Sequence, residues 1–208
     1  MPNLVVAETR LATLRSSTLS AVSLARQMGG ETIGLVIGAG VGPAATELSR
    51  YLPSVLVVDD ARLPHYLAET FAPLVARIAR ERGAQAVVAT ATATGKDLMP
   101  RVAALLSCGM ASDVAAVLGP RRFRRPIAAG NALCDVEITT ASLVVTARQT
   151  EFAAADPLPT PGTVATVAGG EIDPKGSSFV ELKESRSERP DLADARIVVS
   201  GGRGMRNA

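Results

Sequence analysis

The sequence lacks tryptophan altogether, and aromatic residues make up only 3% of its 208 residues. The core must therefore be built from Ala, Val, Leu and Ile, a composition that suits parallel sheets buried beneath helices. Apolar residues account for 47% and charged residues for 20%, proportions typical of a globular protein and not of a disordered chain. The formal net charge of +2 is too small by itself to indicate binding to nucleic acid or to a membrane.

Histidine and cysteine are also scarce, and this limits the chemistry that the chain can carry. His65 is the only histidine, which leaves almost nothing for a His-based metal site or a Ser-His-Asp triad. Cys108 and Cys134 are not spaced as a CxxC pair, so we expect structural thiols in a reducing compartment. We therefore expect no catalytic residue and no metal ligand.

Long apolar runs are missing too. No stretch reaches the ~18 apolar residues of a membrane-spanning helix. The N-terminal apolar run stops at Glu8, and no basic leader precedes it. We therefore expect no membrane insertion, no signal or transit peptide, and a cytoplasmic location.

The first half of the chain does contain a repeated strand-then-helix pattern. Apolar, β-branched runs predict strands at residues 4–7, 32–37, 55–58 and 86–89. Apolar residues at helical spacing predict helices at 16–28, from 43 onward, at 65–82 and at 96–106. Four such units predict a mainly parallel sheet that is covered by helices on both faces and has right-handed crossovers.

After Cys108 the pattern changes to short strands without helices between them. These strands are predicted at residues 114–118, 127–129, 134–138, 143–147, 164–167 and 179–182. We expect them to add antiparallel strands or a hairpin extension. Residues 185–191 are charged and contain Pro190, a composition typical of a linker, and a new strand is predicted from 196. The sequence thus predicts one α/β domain over residues 1–188, and a linker with the start of a second domain over 189–208.

A glycine-rich turn, Gly38-Ala39-Gly40-Val41-Gly42, follows the second predicted strand, and Asp59 ends the next one. In dinucleotide-binding folds such glycines admit a pyrophosphate, and an acid about 20 residues on holds a ribose hydroxyl. Here Pro43 stands at the third glycine position, and a full strand–helix unit precedes the motif. Two alternatives stay open: a tight structural turn, or an NAD-dependent or other nucleotide-binding protein that uses these glycines and Asp59.

Two further motifs admit both a structural and a functional interpretation. Residues 94–97, Thr-Gly-Lys-Asp, faintly resemble a phosphate-binding loop but lack its upstream glycine, so we predict a helix N-terminus with Thr94 as its cap. A cluster of basic residues is conceivable as a nucleic-acid site, yet one short cluster at this net charge is more typical of a solvated hairpin or a protein contact. Its members are Arg121, Arg122, Arg124 and Arg125.

A second glycine motif, Ser200-Gly201-Gly202-Arg203-Gly204, directly follows a predicted strand. Backbone amides of consecutive glycines can cradle an anion, and the adjacent Arg203 can clamp a phosphate or the electron-rich edge of a flavin. We take Ser200, Gly201, Gly202 and Arg203 as the candidate cofactor-binding residues.

Five segments, taken together, point to a known family by their order and spacing. They are Gly-Lys-Asp-Leu-Met-Pro-Arg-Val-Ala-Ala at 95–104, Ser-Asp-Val at 112–114, Arg-Pro-Ile-Ala-Ala-Gly-Asn-Ala-Leu-Cys at 125–134, Arg-Pro-Asp-Leu at 189–192 and Val-Val-Ser-Gly-Gly-Arg-Gly at 198–204. In this combination they resemble the α subunit of electron-transfer flavoproteins, and the resemblance runs from Leu4 to the last residues.

The resemblance implies a heterodimer of α and β subunits with FAD as its cofactor. The first domain of the α subunit would be a Rossmann-like sheet that packs on the β subunit, and the second domain would make most of the FAD contacts. The flavin would accept electrons from dehydrogenases such as acyl-CoA dehydrogenases, as in fatty acid β-oxidation, and pass them to a quinone oxidoreductase or another acceptor. The protein would thus be an electron carrier rather than a classical enzyme.

The resemblance also assigns roles to the two glycine motifs. In the family, the β subunit binds AMP and the α subunit does not. The turn at residues 38–42 of this chain would then be a vestige of a nucleotide-binding architecture and not a cofactor site. Arg203 would lie by the isoalloxazine ring, where positive charge favours the anionic reduced flavin. Because the family continues well beyond Ala208, we expect only the first residues of the FAD domain here, and weak or no FAD binding by this chain alone. A nucleotide-binding regulatory module of the universal-stress type, which has a similar fold, is the remaining alternative.

Overall fold

A computed structural model describes residues 2–183, 195 and 197–205. Within this part of the chain the backbone forms twelve strands and four α-helices. The strands are β1 (Asn3–Val6), β2 (Thr9–Arg10), β3 (Thr13–Leu14), β4 (Thr32–Gly38), β5 (Ser54–Asp59), β6 (Ala86–Thr90), β7 (Gly109–Val114), β8 (Ala116–Gly119), β9 (Arg122–Ile127), β10 (Ala132–Glu137), β11 (Leu143–Ala147) and β12 (Thr163–Thr166). The helices are α1 (Thr18–Met28), α2 (Gly42–Leu48), α3 (Ala68–Glu81) and α4 (Ala93–Leu106).

Seven strands form one sheet in the order β12-β5-β4-β1-β6-β11-β7. Each neighbouring pair in this sheet runs parallel. Strands β4 and β11 are buried at every residue, and their largely apolar sequences are those of strands covered on both faces. The predicted parallel sheet is confirmed.

Each face of the sheet carries its own hydrophobic core, because successive strand residues point to opposite faces. Val5 and Val36 pack in one core with residues of α1 and α2. Leu4 and Leu35 pack in the other core with residues of α3 and α4. The predicted Rossmann-like architecture, with helices on both faces, is therefore confirmed.

The N-terminus of α4 differs from the prediction by two residues. The N-cap is Thr92, whose Oγ1 accepts a hydrogen bond from the Gly95 N–H at 3.0 Å. The prediction of Thr94 as the cap is wrong, since Thr94 already lies within the helix. The helix starts earlier because the Thr92 hydroxyl reaches the amide three residues on, the usual geometry of a threonine cap.

The second half of the chain divides between two sheets. Strands β8, β9 and β10 form a separate three-stranded antiparallel sheet, here called the arm, which confirms the predicted antiparallel extension. Strands β7, β11 and β12 instead join the parallel sheet. The strand predicted at 127–129 ends at Ile127, because a short 3-10 helix follows at Ala128–Gly130.

The two strands predicted nearest the end of the chain are wrong in the described residues. Residues 179–182 and 197–199 are not in strands, and their apolar side chains are largely exposed, so no burial holds them against a sheet. The boundary predicted between 188 and 189 falls within 184–194, outside the described residues, and stays a prediction. In the part of the chain that is described, no helix is both long and apolar enough to span a bilayer.

Candidate functional site

A cleft of about 660 Å³ lies at the edge of the parallel sheet where β1, β4 and β6 end. Strand β1 is central, and the chain runs from it to β4 on one side and later to β6 on the other. Open α/β sheets bind their ligands at such a switch point. Apolar side chains, among them Ile37, Leu63, Phe71 and Leu98, contribute to the cleft wall. The fold thus presents a concave, partly apolar surface at the position where related architectures hold cofactors.

The glycine turn beside this cleft is held by Asp59, at the end of β5. The Oδ1 atom of Asp59 accepts a hydrogen bond from the Gly40 N–H at 2.6 Å. Gly40 has a φ of +68°, in the left-handed region that favours glycine. The Asp59 carboxylate therefore accepts the hydrogen bond that the Gly40 N–H would have to donate to a pyrophosphate. Asp59 is thus directed at the protein's own backbone.

The position of the turn in the sheet also departs from a dinucleotide fingerprint. In that fold the glycine-rich turn follows the first, central strand, whereas here it follows β4, beside the centre. A Cβ on Gly38 would lie 2.7 Å from Cγ1 of Val41, so this glycine is needed for packing within the turn. The geometry at Gly38, Gly40, Gly42 and Asp59 favours a structural turn over an NAD site.

Glu8, two residues beyond the end of β1, supplies a second carboxylate at the start of α4. It accepts a hydrogen bond from the Thr92 hydroxyl, and Thr92 in turn caps the helix. Burial raises the pKa of Glu8, and this outweighs the lowering by the Thr92 hydrogen bond and the charge of Arg15. Negative charge at a helix N-terminus is favourable because the N–H groups there lack intrahelical acceptors. The chain itself therefore places a carboxyl group at this helix end, although burial disfavours the charged form of that group.

The rim of the cleft carries aromatic side chains. Tyr66 donates a hydrogen bond to Oδ2 of Asp97 at 2.9 Å, and burial together with this carboxylate raises the pKa of Tyr66. His65 stacks on Phe179, with ring centroids 3.6 Å apart. Leu182 also lines the cleft. The segment after β12 thus passes along the mouth of the cleft.

The predicted cofactor loop lies apart from this cleft. Ser200, Gly201 and Gly202 are exposed, and none of the described residues 197–205 lines the cleft. The loop continues into a 3-10 helix, Arg203–Met205, in which the Met205 N–H donates to the Gly202 carbonyl at 3.0 Å. A side chain on Gly201 would require the Met205 side chain to move. The side chain of Arg203 lies outside the described part of the structure, and the cofactor role of all four residues stays a prediction.

The basic cluster lies on the arm and is partly neutralised there. Arg124 forms a bidentate ion pair with Asp135 on the neighbouring strand, with N–O distances of 2.7 and 2.8 Å. Arg121 donates to the carbonyl oxygens of Ile138 and Ala141 at 2.8 and 3.2 Å. These contacts support the hairpin interpretation of the cluster over nucleic-acid binding.

Sequence reasoning does not single out Glu8 or Thr92 as site residues. The available signal is their position, since each comes just after a strand of the parallel sheet. Because the carboxyl ends of neighbouring parallel strands meet at one edge, polar residues at these two places are brought together.

Comparisons with known proteins agree with the fold. The "Electron transfer flavoprotein domain" family model matches residues 3–176. The chain is 40% identical over 211 residues to electron transfer flavoprotein subunit alpha of Pseudomonas aeruginosa, which covers 100% of this chain and 67% of that protein. It is 40% identical over 193 residues to the subunit alpha of Paracoccus denitrificans, which covers 92% of this chain and 61% of that protein.

A plant relative shows the same pattern of coverage. The chain is 37% identical over 221 residues to the mitochondrial subunit alpha of Oryza sativa subsp. indica, with 99% of this chain and 61% of that protein covered. The chain thus spans between 61% and 67% of the length of these relatives. It belongs to the electron transfer flavoprotein family, among the α subunits.

Proposed function

We propose that this chain is the structural and partner-docking part of an electron carrier. In this proposal an α subunit takes up electrons from dehydrogenases such as acyl-CoA dehydrogenases through FAD, and passes them to a quinone oxidoreductase or another acceptor. The observation that carries the proposal is the family match over residues 3–176, which spans the whole parallel sheet and the arm. The cytoplasmic location is part of the proposal, although the rice relative is mitochondrial by name.

The proposed partner of this chain is a β subunit. The relatives are named as α subunits, which implies at least one further subunit in the complex. In the proposal the β subunit holds the nucleotide AMP, and the cleft of this chain holds none. The carboxylates of Asp59 and Glu8 support this division, because they stand on the Gly40 amide and at the start of α4, where phosphates would bind.

FAD, when bound, supplies the one-electron chemistry of the carrier. The residues of the second glycine motif fit a role in holding it, because Gly201 and Gly202 leave an exposed backbone. In the proposal, their amides bind an anionic group of the cofactor and Arg203 adds positive charge. Since the loop is exposed and outside the cleft, the described residues do not enclose a cofactor, and a second domain from about residue 189 would hold most of it.

Two measurements test the proposed function. This chain is mixed with the β subunit of the same organism, and light scattering after size exclusion is expected to show a one-to-one complex. The full gene product with its β subunit and FAD is then mixed with an acyl-CoA dehydrogenase and an acyl-CoA, and the flavin absorbance is expected to bleach. Absence of the complex would refute the subunit assignment, and a flavin that is not reduced by any tested dehydrogenase would refute the donor.

A further inference from the structure

A long irregular segment leaves the edge of the parallel sheet after β12. Residues 167–183 contain no helix and no strand, whereas loops longer than about 12–15 residues without secondary structure are uncommon and often serve as lids or binding loops. Ile172 packs against the core that contains residues of α3 and α4, and Leu182 lines the cleft at the switch point. Residues 168–182, here called the strap, therefore run from the edge strand to the mouth of the cleft.

The root of the strap is held by two arginines from the domain surface. Arg77 of α3 donates from Nη2 to the carbonyl oxygens of Ala168 and Gly169, at 2.7 and 3.2 Å. Arg62, in the loop before α3, donates from Nη2 to the Gly170 carbonyl oxygen at 3.1 Å. A guanidinium can make several such bonds at once because its five N–H groups form a fixed fork. Three consecutive carbonyls of the strap thus accept hydrogen bonds from one pair of side chains.

These two arginines are oriented by carboxylates. Arg62 forms a bidentate ion pair with Asp60, with N–O distances of 2.9 and 2.6 Å. Arg77 donates to Oε1 of Glu81 at 2.9 Å. The strap approaches this surface closely because it has glycine here, since a Cβ on Gly169 would lie 2.8 Å from Oδ2 of Asp60. The sequence of the strap and the charges of the domain surface are therefore matched at the root.

The tip of the strap, by contrast, is held by a single aromatic contact. His65 and Phe179 stack with ring centroids 3.6 Å apart and an angle of 16° between their planes. The tip beyond this stack is apolar but little buried, since Val180 is 85% exposed and Leu182 is 70% exposed. Exposed apolar side chains beside a partly apolar cleft gain free energy by covering it. The tip is thus placed to close on the cleft and is easily lifted from it.

The middle of the strap is loosely packed on the domain. A pocket of about 450 Å³ is bordered on one side by residues of the strap, among them Pro174 and Ser177, and on the other by Thr70 of α3. A second pocket of about 300 Å³ lies between Asp173 of the strap and Pro73 of α3. Because protein interiors are normally close-packed, a segment that passes over such voids is easier to detach than a buried one.

We propose that the strap is a lid on the cleft at the switch point, fixed at its root by Arg62 and Arg77 and closed at its tip by the stacking of Phe179 on His65. With the tip in place, Leu182 adds an apolar side chain to the mouth of the cleft. When the tip is released, the apolar wall of the cleft is open to solvent. This inference goes beyond the proposed function, since it concerns contacts within this chain and requires neither a β subunit nor FAD.

The first readout is cleavage of the chain by the endoproteinase Lys-C, which cuts after lysine. The chain has lysines only at positions 96, 175 and 183, so each fragment identifies the bond that was cut. Lys175 lies within the strap, and its cleavage requires several neighbouring residues to detach, so the rate follows the population of the released strap. This rate is expressed relative to cleavage at Lys96, which lies in α4 and reports global unfolding.

One variant loosens each end of the strap. Arg77→Ala at the root and Phe179→Ser at the tip are each expected to raise the relative rate at Lys175 about fivefold or more, because hydrogen bonds from a charged donor or a ring contact are lost. The matched controls are Arg80→Ala, on the same helix but bonded to α4, and Val180→Ser, beside Phe179 but exposed. Both controls are expected to stay within about twofold of the wild type.

The second readout tests whether the strap covers the cleft. Nile red is a neutral apolar dye, which the Asp59 carboxylate would not repel as it would an anion. Its emission in the presence of the chain is expected to rise in Phe179→Ser, where the tip is free, and to stay at the wild-type level in Val180→Ser. Thermal melting checks that every variant is folded.

Each outcome bears on the lid and not on the heterodimer. Unchanged relative rates at Lys175 in folded Arg77→Ala and Phe179→Ser would overturn the lid, as would an equal increase in the two controls. Faster cleavage of Phe179→Ser without a gain in Nile red emission would show that the strap is attached but does not cover the cleft, and would overturn the closure. Neither readout contains the β subunit, so these results leave the proposed function as it stands.

Discussion

The Asp59 carboxylate caps the Gly40 amide across the ends of two neighbouring strands, at 2.6 Å. At the start of α4, the Glu8 carboxyl group accepts a hydrogen bond from the Thr92 hydroxyl, which in turn accepts one from the Gly95 N–H. Both contacts lie beside the cleft at the switch point of the sheet, where an open α/β fold ordinarily receives a ligand. The two carboxylates explain why a sequence with a glycine-rich turn need not bind a dinucleotide there.

The first prediction concerns nucleotides. Calorimetry of the chain with NAD or AMP is expected to show no saturable binding up to about 1 mM ligand, a concentration that detects even millimolar affinity. The reason is that Asp59 occupies the Gly40 amide and would repel a phosphate there. Tight binding that Asp59→Ala abolishes, and that the neighbouring Asp60→Ala leaves unchanged, would instead support an NAD-dependent protein.

The second prediction concerns the pH dependence of stability. Because burial raises the folded pKa of Glu8 above its ordinary value of 4.5, the folded protein binds this proton more tightly than the unfolded chain does. The contribution of Glu8 to stability is therefore largest below pH 4.5, and it falls as the pH rises through the raised pKa. Glu8→Gln keeps an acceptor for Thr92 but does not titrate. The stability of this variant relative to the wild type is therefore expected to increase as the pH rises.

Urea unfolding at about pH 4 and about pH 7 measures this difference. Glu31→Gln removes an exposed carboxylate and serves as the control. The difference in unfolding free energy between Glu8→Gln and the wild type is the quantity compared. If this difference does not change with pH, or changes in favour of the wild type as the pH rises, the prediction is contradicted.

The third prediction separates two threonines at the start of α4. Thr92→Ala removes the acceptor of the Gly95 N–H and the donor to Glu8, and it is expected to cost about 1–2 kcal/mol of unfolding free energy. Thr94→Ala removes no N-cap and is expected to change stability by about 0.5 kcal/mol or less. Thermal and urea unfolding of both variants provide the measurement. A larger loss of stability in Thr94→Ala than in Thr92→Ala would show that Thr92 is not the N-cap.

The fourth prediction concerns flavin. The chain alone is expected to bind FAD weakly or not at all, because Ser200, Gly201 and Gly202 are exposed and lie outside the cleft. Absorbance of the purified chain after incubation with FAD and gel filtration is the measurement. Flavin that co-purifies at close to one equivalent with this chain alone would refute the prediction.

The parallel sheet was predictable because its signals are local. Strands such as β4 and β11 are apolar throughout, and α3 shows its apolar stripe in the sequence itself. The edge strand β12 was also found by its pattern, although its four residues are exposed. The run at 179–182 has the same local character but pairs with no strand, since Phe179 instead stacks on His65. Local propensity does not determine which apolar segment finds an edge to join.

The candidate site was less predictable because its contacts join distant parts of the chain. Thr92 and Glu8 are 84 residues apart, and Asp59 and Gly40 are 19 apart. The sequence does place Asp59 at the end of a strand, yet it cannot say whether the carboxylate faces a ligand or the backbone. For Arg203, the resemblance assigns a role that the described structure leaves as a prediction.

The carboxylates at the switch point have a consequence for how the chain responds to the cell. A protein whose sheet edge is completed by a bound nucleotide gains stability in proportion to the logarithm of ligand concentration. Here Glu8 and Asp59 occupy that edge with side chains of the chain itself, so we expect the free energy of unfolding of this domain to be the same at low and at high nucleotide concentration.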